Sequence, residues 1–298
     1  MEWLSCIRKT IDLIEDSLQG DVSVQTLASK VYISSVLLQK GFSVMTGYSI
    51  GEYVRNRRLY QAAIDLQNTE NKVIDIALNY GYETPESFTK AFTRFHGVTP
   101  SQARLGAAIR GFSRLKINIS MVGGNNMDVK IVKRFPFKVI GFAREFSCED
   151  SFQTIPAFWN EICEKYAANV YAGNPPANPQ EKALMDHCIG EYGVCVDHGY
   201  GDGKMLYIIA GKYTGGEVPD GMTVYEFPEG EWAVFECIGP MPNAIQEMTV
   251  RVYKEWLPGN PDYELFGDAM VEWYDCVGEQ DSPDYRSAIW IPVKRKGE

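Results

Sequence analysis

Residues 72–104, KVIDIALNYGYETPESFTKAFTRFHGVTPSQAR, decide the fold of the first third of the chain. Val73, Ile74, Ala77 and Leu78 set an apolar face on one helix, and Phe88, Ala91, Phe92 and Phe95 recur at i, i+3, i+4 and i+7 on a second. Gly81 supplies the turn between them, because glycine adopts positive φ at little cost. Thr84 followed by Pro85 predicts an N-cap with proline at the first helical position, and Thr99, Pro100 and Gln102 repeat that start with a capping box. The stretch therefore reads helix, tight turn, helix, turn, helix. Its second helix leaves Glu86, Ser87, Lys90 and Arg94 on the outer side, the side that a DNA groove would meet.

Upstream, residues 21–47 follow the same logic. Ser23 caps a short helix carrying Val24, Leu27 and Ala28, residues 31–34 turn the chain, and Ser34 or Ser35 caps a longer helix through Leu37, Leu38 and Phe42. Between the two motifs, residues 50–67 read as one long helix, with Tyr53, Leu59, Ala63, Ile64 and Leu66 available for burial and Arg55, Arg57 and Arg58 outside. A rigid helix there matters mechanically. Two recognition helices on one chain enter successive major-groove segments only if they are held about 34 Å apart. The opening residues lack a basic start before a continuous apolar run and read as an amphipathic helix with Ile7, Ile11, Ile14 and Leu18 on one face, not as a signal peptide.

The order helix, Gly-Tyr turn, Ser-Phe-x-x-x-Phe, Gly-x-Thr-Pro resembles the second DNA-binding motif of the AraC/XylS family of transcription regulators. Residues 31–59 align without gaps on the first motif of that family, including Thr46-Gly47 and Arg57-Arg58-Leu59. The resemblance implies base contacts from Ser35, Val36, Gln39 and Lys40 in the first recognition helix and from Glu86, Ser87 and Lys90 in the second, while Arg55, Arg57, Arg58 and Arg94 read as phosphate contacts or as solvated charge. Such chemistry suits the major groove: Gln pairs with adenine, Lys reaches guanine, Val meets a thymine methyl, and Glu accepts from cytosine. Related proteins carry a large aromatic and an arginine where this chain has Val36 and Lys40, so the target site is its own.

The formal net charge of -10 is unevenly placed. Residues 1–110 hold 12 Lys+Arg against 11 Asp+Glu, and the remainder 17 against 28, so the first part is at +1 and the rest at -11. The near-neutral part can still present a basic face to nucleic acid. The 7 cysteines have no disulfide-scaffold spacing and read as reduced thiols. With no apolar run long enough to cross a bilayer, a cytoplasmic protein without a membrane partner is expected. No phosphate loop, nucleophile elbow or His-Glu-x-x-His pattern is present, so neither a catalytic residue nor a cofactor is expected. His187, Cys188, Cys195 and His198 are metal-ligand types close in sequence, but their spacing does not suit a zinc site.

Beyond residue 110 the composition changes. Residues 111–126, ending in Gly123-Gly124-Asn125-Asn126, read as a linker between a domain at 1–110 and another at 127–298. The second domain contains a repeat: Val132-Lys133-Arg134-Phe135-Pro136 recurs as Val224-Tyr225-Glu226-Phe227-Pro228. Each copy is followed by a strand (139–143, 232–237), an amphipathic helix (from near Pro156, and 243–256) and two more strands (193–197 and 205–213, 270–275 and 288–293). The fold expected is an all-α double helix-turn-helix DNA-binding domain followed by a pseudo-two-fold α+β effector-binding domain.

That order resembles the GyrI-like small-molecule-binding domain. The resemblance implies a groove for flat, apolar, often cationic effectors, with Glu272 as the pocket acid and Trp159, Trp232, Tyr274 and Trp290 as aromatic walls. Aromatic faces attract cations, and a sheltered carboxylate rewards a ligand that neutralises it. Residues 111–298 hold 26 of the 37 aromatic residues, ample for such walls. Where the family carries a second glutamate, two residues before the last aromatic, this chain has Ala288, and a pocket with one acid fewer is expected to be less selective for strong cations and to suit a neutral or different ligand. The function implied is a transcription activator that binds double-stranded DNA, senses a small molecule and contacts RNA polymerase. Two alternatives stand beside it: a hydrolase of reactive xenobiotics, which Ala288 weakens because acid–base chemistry there uses paired glutamates, and a module that sequesters a drug or protein.

Overall fold

The computed structural model describes residues 3–117, 127–147, 151–197 and 204–297. Seven helices come first: α1 (Trp3–Asp16), α2 (Val24–Val31), α3 (Ser35–Thr46), α4 (Ile50–Asn68), α5 (Val73–Asn79), α6 (Pro85–His96) and α7 (Pro100–Arg104). Their starts are set by side-chain caps. Ser23 accepts from Thr26 N–H, Ser34 from Leu37 N–H and Thr84 from Ser87 N–H, and both Ser49/Glu52 and Thr99/Gln102 form capping boxes. Each cap satisfies an orphan amide and contributes about 1 kcal/mol. The choice at the first motif falls on Ser34, and the Ser35 amide is thereby left to a distant partner.

The two motifs have separate interiors. Leu59, Ala62, Leu66, Ile76, Ala77, Phe88 and Phe92 pack around the second, whereas Leu27, Val31, Leu37 and Phe42 join α1 and the C-terminal half in one larger cluster. On α5 the buried residues are Ile76 and Ala77, and Ile74 and Leu78 are exposed, so the apolar stripe is rotated from the one that the spacing predicts. Arg57 and Arg58 do not lie outside. Arg57 is 5% exposed and forked onto Glu15, and Arg58 donates to the carbonyls of Leu18 and Gly20. Phe112 packs edge-on to Tyr48 and Phe95, so residues 111–117 lie against the helices. The Gly123–Asn126 joint is outside the described residues.

His96 closes the second motif. Its Nδ1 accepts from Arg110 N–H at 3.1 Å, so its Nε2, 3.0 Å from the Leu59 carbonyl, carries the proton and donates. Burial holds its pKa below the ordinary 6.5, against the opposing pull of the Leu59 carbonyl. The unfolded chain therefore takes up the proton first as pH falls. Stability is full above 6.5 and is expected to decline below it, at no more than about 1.4 kcal/mol per pH unit. Urea denaturation across that range measures the slope, and His96→Gln should flatten it.

The C-terminal half is a sheet of β1 (Val129–Arg134), β2 (Phe137–Ser147), β3 (Tyr192–Val196), β4 (Lys204–Lys212), β5 (Met222–Phe227), β6 (Gly230–Ile238), β7 (Tyr263–Leu265), β8 (Ala269–Tyr274) and β9 (Arg286–Arg295). All pairings are antiparallel, in the order β1-β6-β9-β8-β3-β4-β2-β5, with β7 beside β9. The order is its own mirror about the β8–β3 seam: β1, β6, β9 and β8 answer to β5, β2, β4 and β3. The first strand of each repeat pairs with the second strand of the other. Helix α8 (Ser151–Ile162) begins before Pro156, which it holds inside, so the proline does not mark the helix start. It continues as a π-turn, Cys163–Ala167, into α9 (Ala168–Tyr171). Helix α10 (Pro179–Asp186) follows. In the second repeat α11 (Asn243–Arg251) answers to α8, with its own π-turn, Val252–Trp256, leading into α12 (Leu257–Gly259).

Candidate effector site and nucleic-acid interface

Side chains alternate across a strand, so pairing fixes what shares a face. Glu272 pairs with Gly193 on one side and Ile289 on the other, at the β8–β3 seam where the repeats meet. Its face is the one that α8 and α11 cover. Tyr274 donates to Glu272 Oε2 at 2.7 Å, and Trp159 of α8 donates through Nε1 to the Tyr207 hydroxyl at 2.9 Å. The Trp159 and Tyr274 rings meet edge to face, 82° apart with centroids at 5.6 Å. Gly193 makes this possible: a Cβ there would overlap the Tyr207 hydroxyl. The outcome is one carboxylate ringed by Trp159, Tyr207 and Tyr274.

Burial, and then the Glu272 carboxylate, push the Tyr207 and Tyr274 hydroxyls well above their ordinary pKa. Both phenols thus stay protonated, and Tyr274 holds one oxygen of Glu272. The second oxygen accepts from Lys40 Nζ at 3.2 Å. That lysine belongs to α3, in the other half of the chain.

Two expected walls fall elsewhere. Trp290 pairs with Val271 and Trp232 with Pro292, which puts both on the opposite face of the sheet, in a cluster with Phe227 and Val194. There Arg134 stacks on Trp290 at 4.0 Å. Ala288 pairs with Trp273 on that same far face, so it takes nothing from the charge around Glu272. The error is one of parity: counting along a single strand does not tell which of its faces the helices cover. Tyr207, absent from the expected walls, lies on the covered face of β4, two strands from Glu272, and only the pairing brings them together. Among the described residues no cluster of His, Cys, Asp or Glu can hold a metal ion, and His198 lies outside them. No helix among them is long and apolar enough to cross a membrane.

The expected DNA contacts divide sharply. On α6, Glu86, Ser87, Lys90 and Arg94 are all exposed. On α3, Ser35, Val36 and Gln39 are only 4%, 3% and 9% exposed, and Lys40 is the ion-pair partner of Glu272. The α3 face is turned onto the C-terminal half.

Residues 130–293 match the family model described as integron-associated effector binding protein, and residues 27–105 match that of a helix-turn-helix domain. The right origin-binding protein of Escherichia coli (strain K12) is 28% identical over 179 residues, 60% of this chain and 61% of that protein. The chain thus aligns with about three fifths of the length of that relative. The HTH-type transcriptional activator AarP of Providencia stuartii is 38% identical over 101 residues, 34% of this chain and 75% of that one. A solved structure of SAV2435 bound to tetraphenylphosphonium shares 22% identity over 56% of this chain and 94% of that chain, with a TM-score of 0.45. By family the chain is an AraC-type helix-turn-helix regulator whose C-terminal half belongs to the integron-associated, GyrI-like effector-binding domains.

Proposed function

We propose that this regulator reads two successive major-groove segments through α3 and α6, and that an aromatic cation bound at Glu272 controls it. The observation that carries the reading is the carboxylate at the seam of the repeats, walled by Trp159, Tyr207 and Tyr274. Such a site suits a flat or propeller-shaped cation, since ring faces and carboxylate act together once water is excluded. Lys90 and Arg94 on α6 supply the positive side chains for phosphate and base edges. Control of transcription as an activator, through contact with RNA polymerase in the cytoplasm, completes the reading.

Calorimetric titration of the full chain with tetraphenylphosphonium, against neutral triphenylphosphine oxide, tests it. Wild type should prefer the cation, and Glu272→Gln should weaken cation binding by about 10- to 100-fold, the worth of a charge-assisted contact in a sheltered site. The neutral ligand should not distinguish the two proteins. Equal cation affinity in both would remove Glu272 from the site. Binding with no effect on transcription would favour the sequestering module instead.

A further inference from the structure

The first recognition helix is held at three points, two by the effector-binding domain and a third shared between that domain and α1. At its N-terminus the Ser35 amide donates to Asp197 Oδ2 at 2.5 Å, which sets a carboxylate at the positive end of the helix dipole. One turn on, Lys40 reaches Glu272, with only 13% and 17% of the two side chains exposed. Beside it, Gly41 lies so close to Trp3 and Tyr253 that a Cβ there would overlap the indole ring. Trp3 itself donates to the Tyr253 carbonyl at 3.0 Å, from the π-turn that follows α11. Two of these contacts, at Ser35 and Lys40, use residues that the family resemblance assigns to bases. The α6 face, by contrast, is open.

We infer that the effector site is closed by the chain's own recognition helix, with the Lys40 ammonium seated where an effector cation binds, so that effector binding and release of α3 to DNA are a single event. This rests on the reading of Glu272 as the effector acid and of α3 as a DNA reader. A tethered cation competes with a free one for the same carboxylate oxygen, and the free one gains only by displacing Lys40. The docked form binds DNA through α6 alone, and the released form through both helices. Because α3 cannot serve Glu272 and the groove together, cation and DNA each favour the form that the other needs, and linkage makes the effect reciprocal. The apparent affinity of either ligand is lowered by the fraction of chains in the docked form.

Three measurements on the full chain test this. Hydrogen exchange with and without tetraphenylphosphonium should show faster exchange across residues 35–46 when the cation is bound. Lys40→Met should bind tetraphenylphosphonium about tenfold more tightly than wild type, because the internal competitor is gone. Asp197→Ala, which loosens α3 from outside both the aromatic ring and the groove, should bind a long mixed-sequence duplex at low salt about tenfold more tightly than Glu217→Ala, a charge-matched control on an exposed acid. Cation binding that leaves exchange across 35–46 unchanged would overturn the inference. So would equal duplex affinity of Asp197→Ala and Glu217→Ala. Should neither wild type nor Lys40→Met bind the cation, the effector reading fails, and the duplex comparison alone decides whether α3 is held in reserve.

Discussion

Arg57→Ala is expected to destabilise the helical half by about 3–5 kcal/mol, the cost of orphaning a buried charge partner. The guanidinium donates Nε and Nη2 to the two oxygens of Glu15 at 2.8 and 2.7 Å, and Nη1 to the Phe112 carbonyl at 2.6 Å. The Tyr53 hydroxyl donates to the same carboxylate at 2.6 Å. Burial would raise the Glu15 pKa, but the Arg57 and Tyr53 hydrogen bonds outweigh it, and the net shift is downward. One side chain on α4 thus ties α1 to the segment that follows α7. Urea denaturation followed by circular dichroism reads the loss. The double variant Glu15→Gln, Arg57→Ala should recover part of it, because no charge is left alone. A double variant as unstable as the sum of the two single ones would show that the pair is not coupled.

Phe92→Ala should cost a similar amount, about 3–5 kcal/mol, but with a different reach. Phe92 is fully buried between Phe88 and His96, with ring centroids at 5.3 and 4.4 Å. It belongs to the small cluster of the second motif, which is separate from the large one shared by α1, α3 and the sheet. The cavity left there should melt α5 to α7 first. Hydrogen exchange should then show amides of α6 opening while those of β4 keep their protection, and duplex DNA binding should fall with α6. Equal loss of protection in β4 would mean that the two clusters unfold as one.

Legibility of the sequence followed the range of the interactions. The helix starts were readable because Ser23, Ser34, Thr84 and Thr99 act within three residues of their own positions. The stripe on α5 was misread by part of a turn, since Ile74 and Leu78 keep the same i, i+4 spacing as Val73 and Ala77 and seven residues give too few repeats to choose a phase. The strands and the repeat were readable, but the covered face was not, so Glu272 and Tyr274 were placed together while Trp232 and Trp290 were put beside them from the wrong side. Arg57 and Arg58 show the limit of polarity as a guide: their charges lie inside because Glu15 and backbone carbonyls receive them. Lys40 with Glu272, and Ser35 with Asp197, join residues 232 and 162 positions apart. No local pattern encodes such pairs, which join the two halves of the chain beside the apolar cluster that they share.

The exchange of first strands between the repeats also governs how the C-terminal half comes apart. β1 is bonded to β6 and β5 to β2, so each repeat holds an edge strand of the other. Neither repeat can loosen without stripping hydrogen bonds from its twin, and neither can complete its own sheet first. The duplication therefore acts as a clasp: two copies that look like independent modules in sequence form a single cooperative unit, which assembles and fails as a whole.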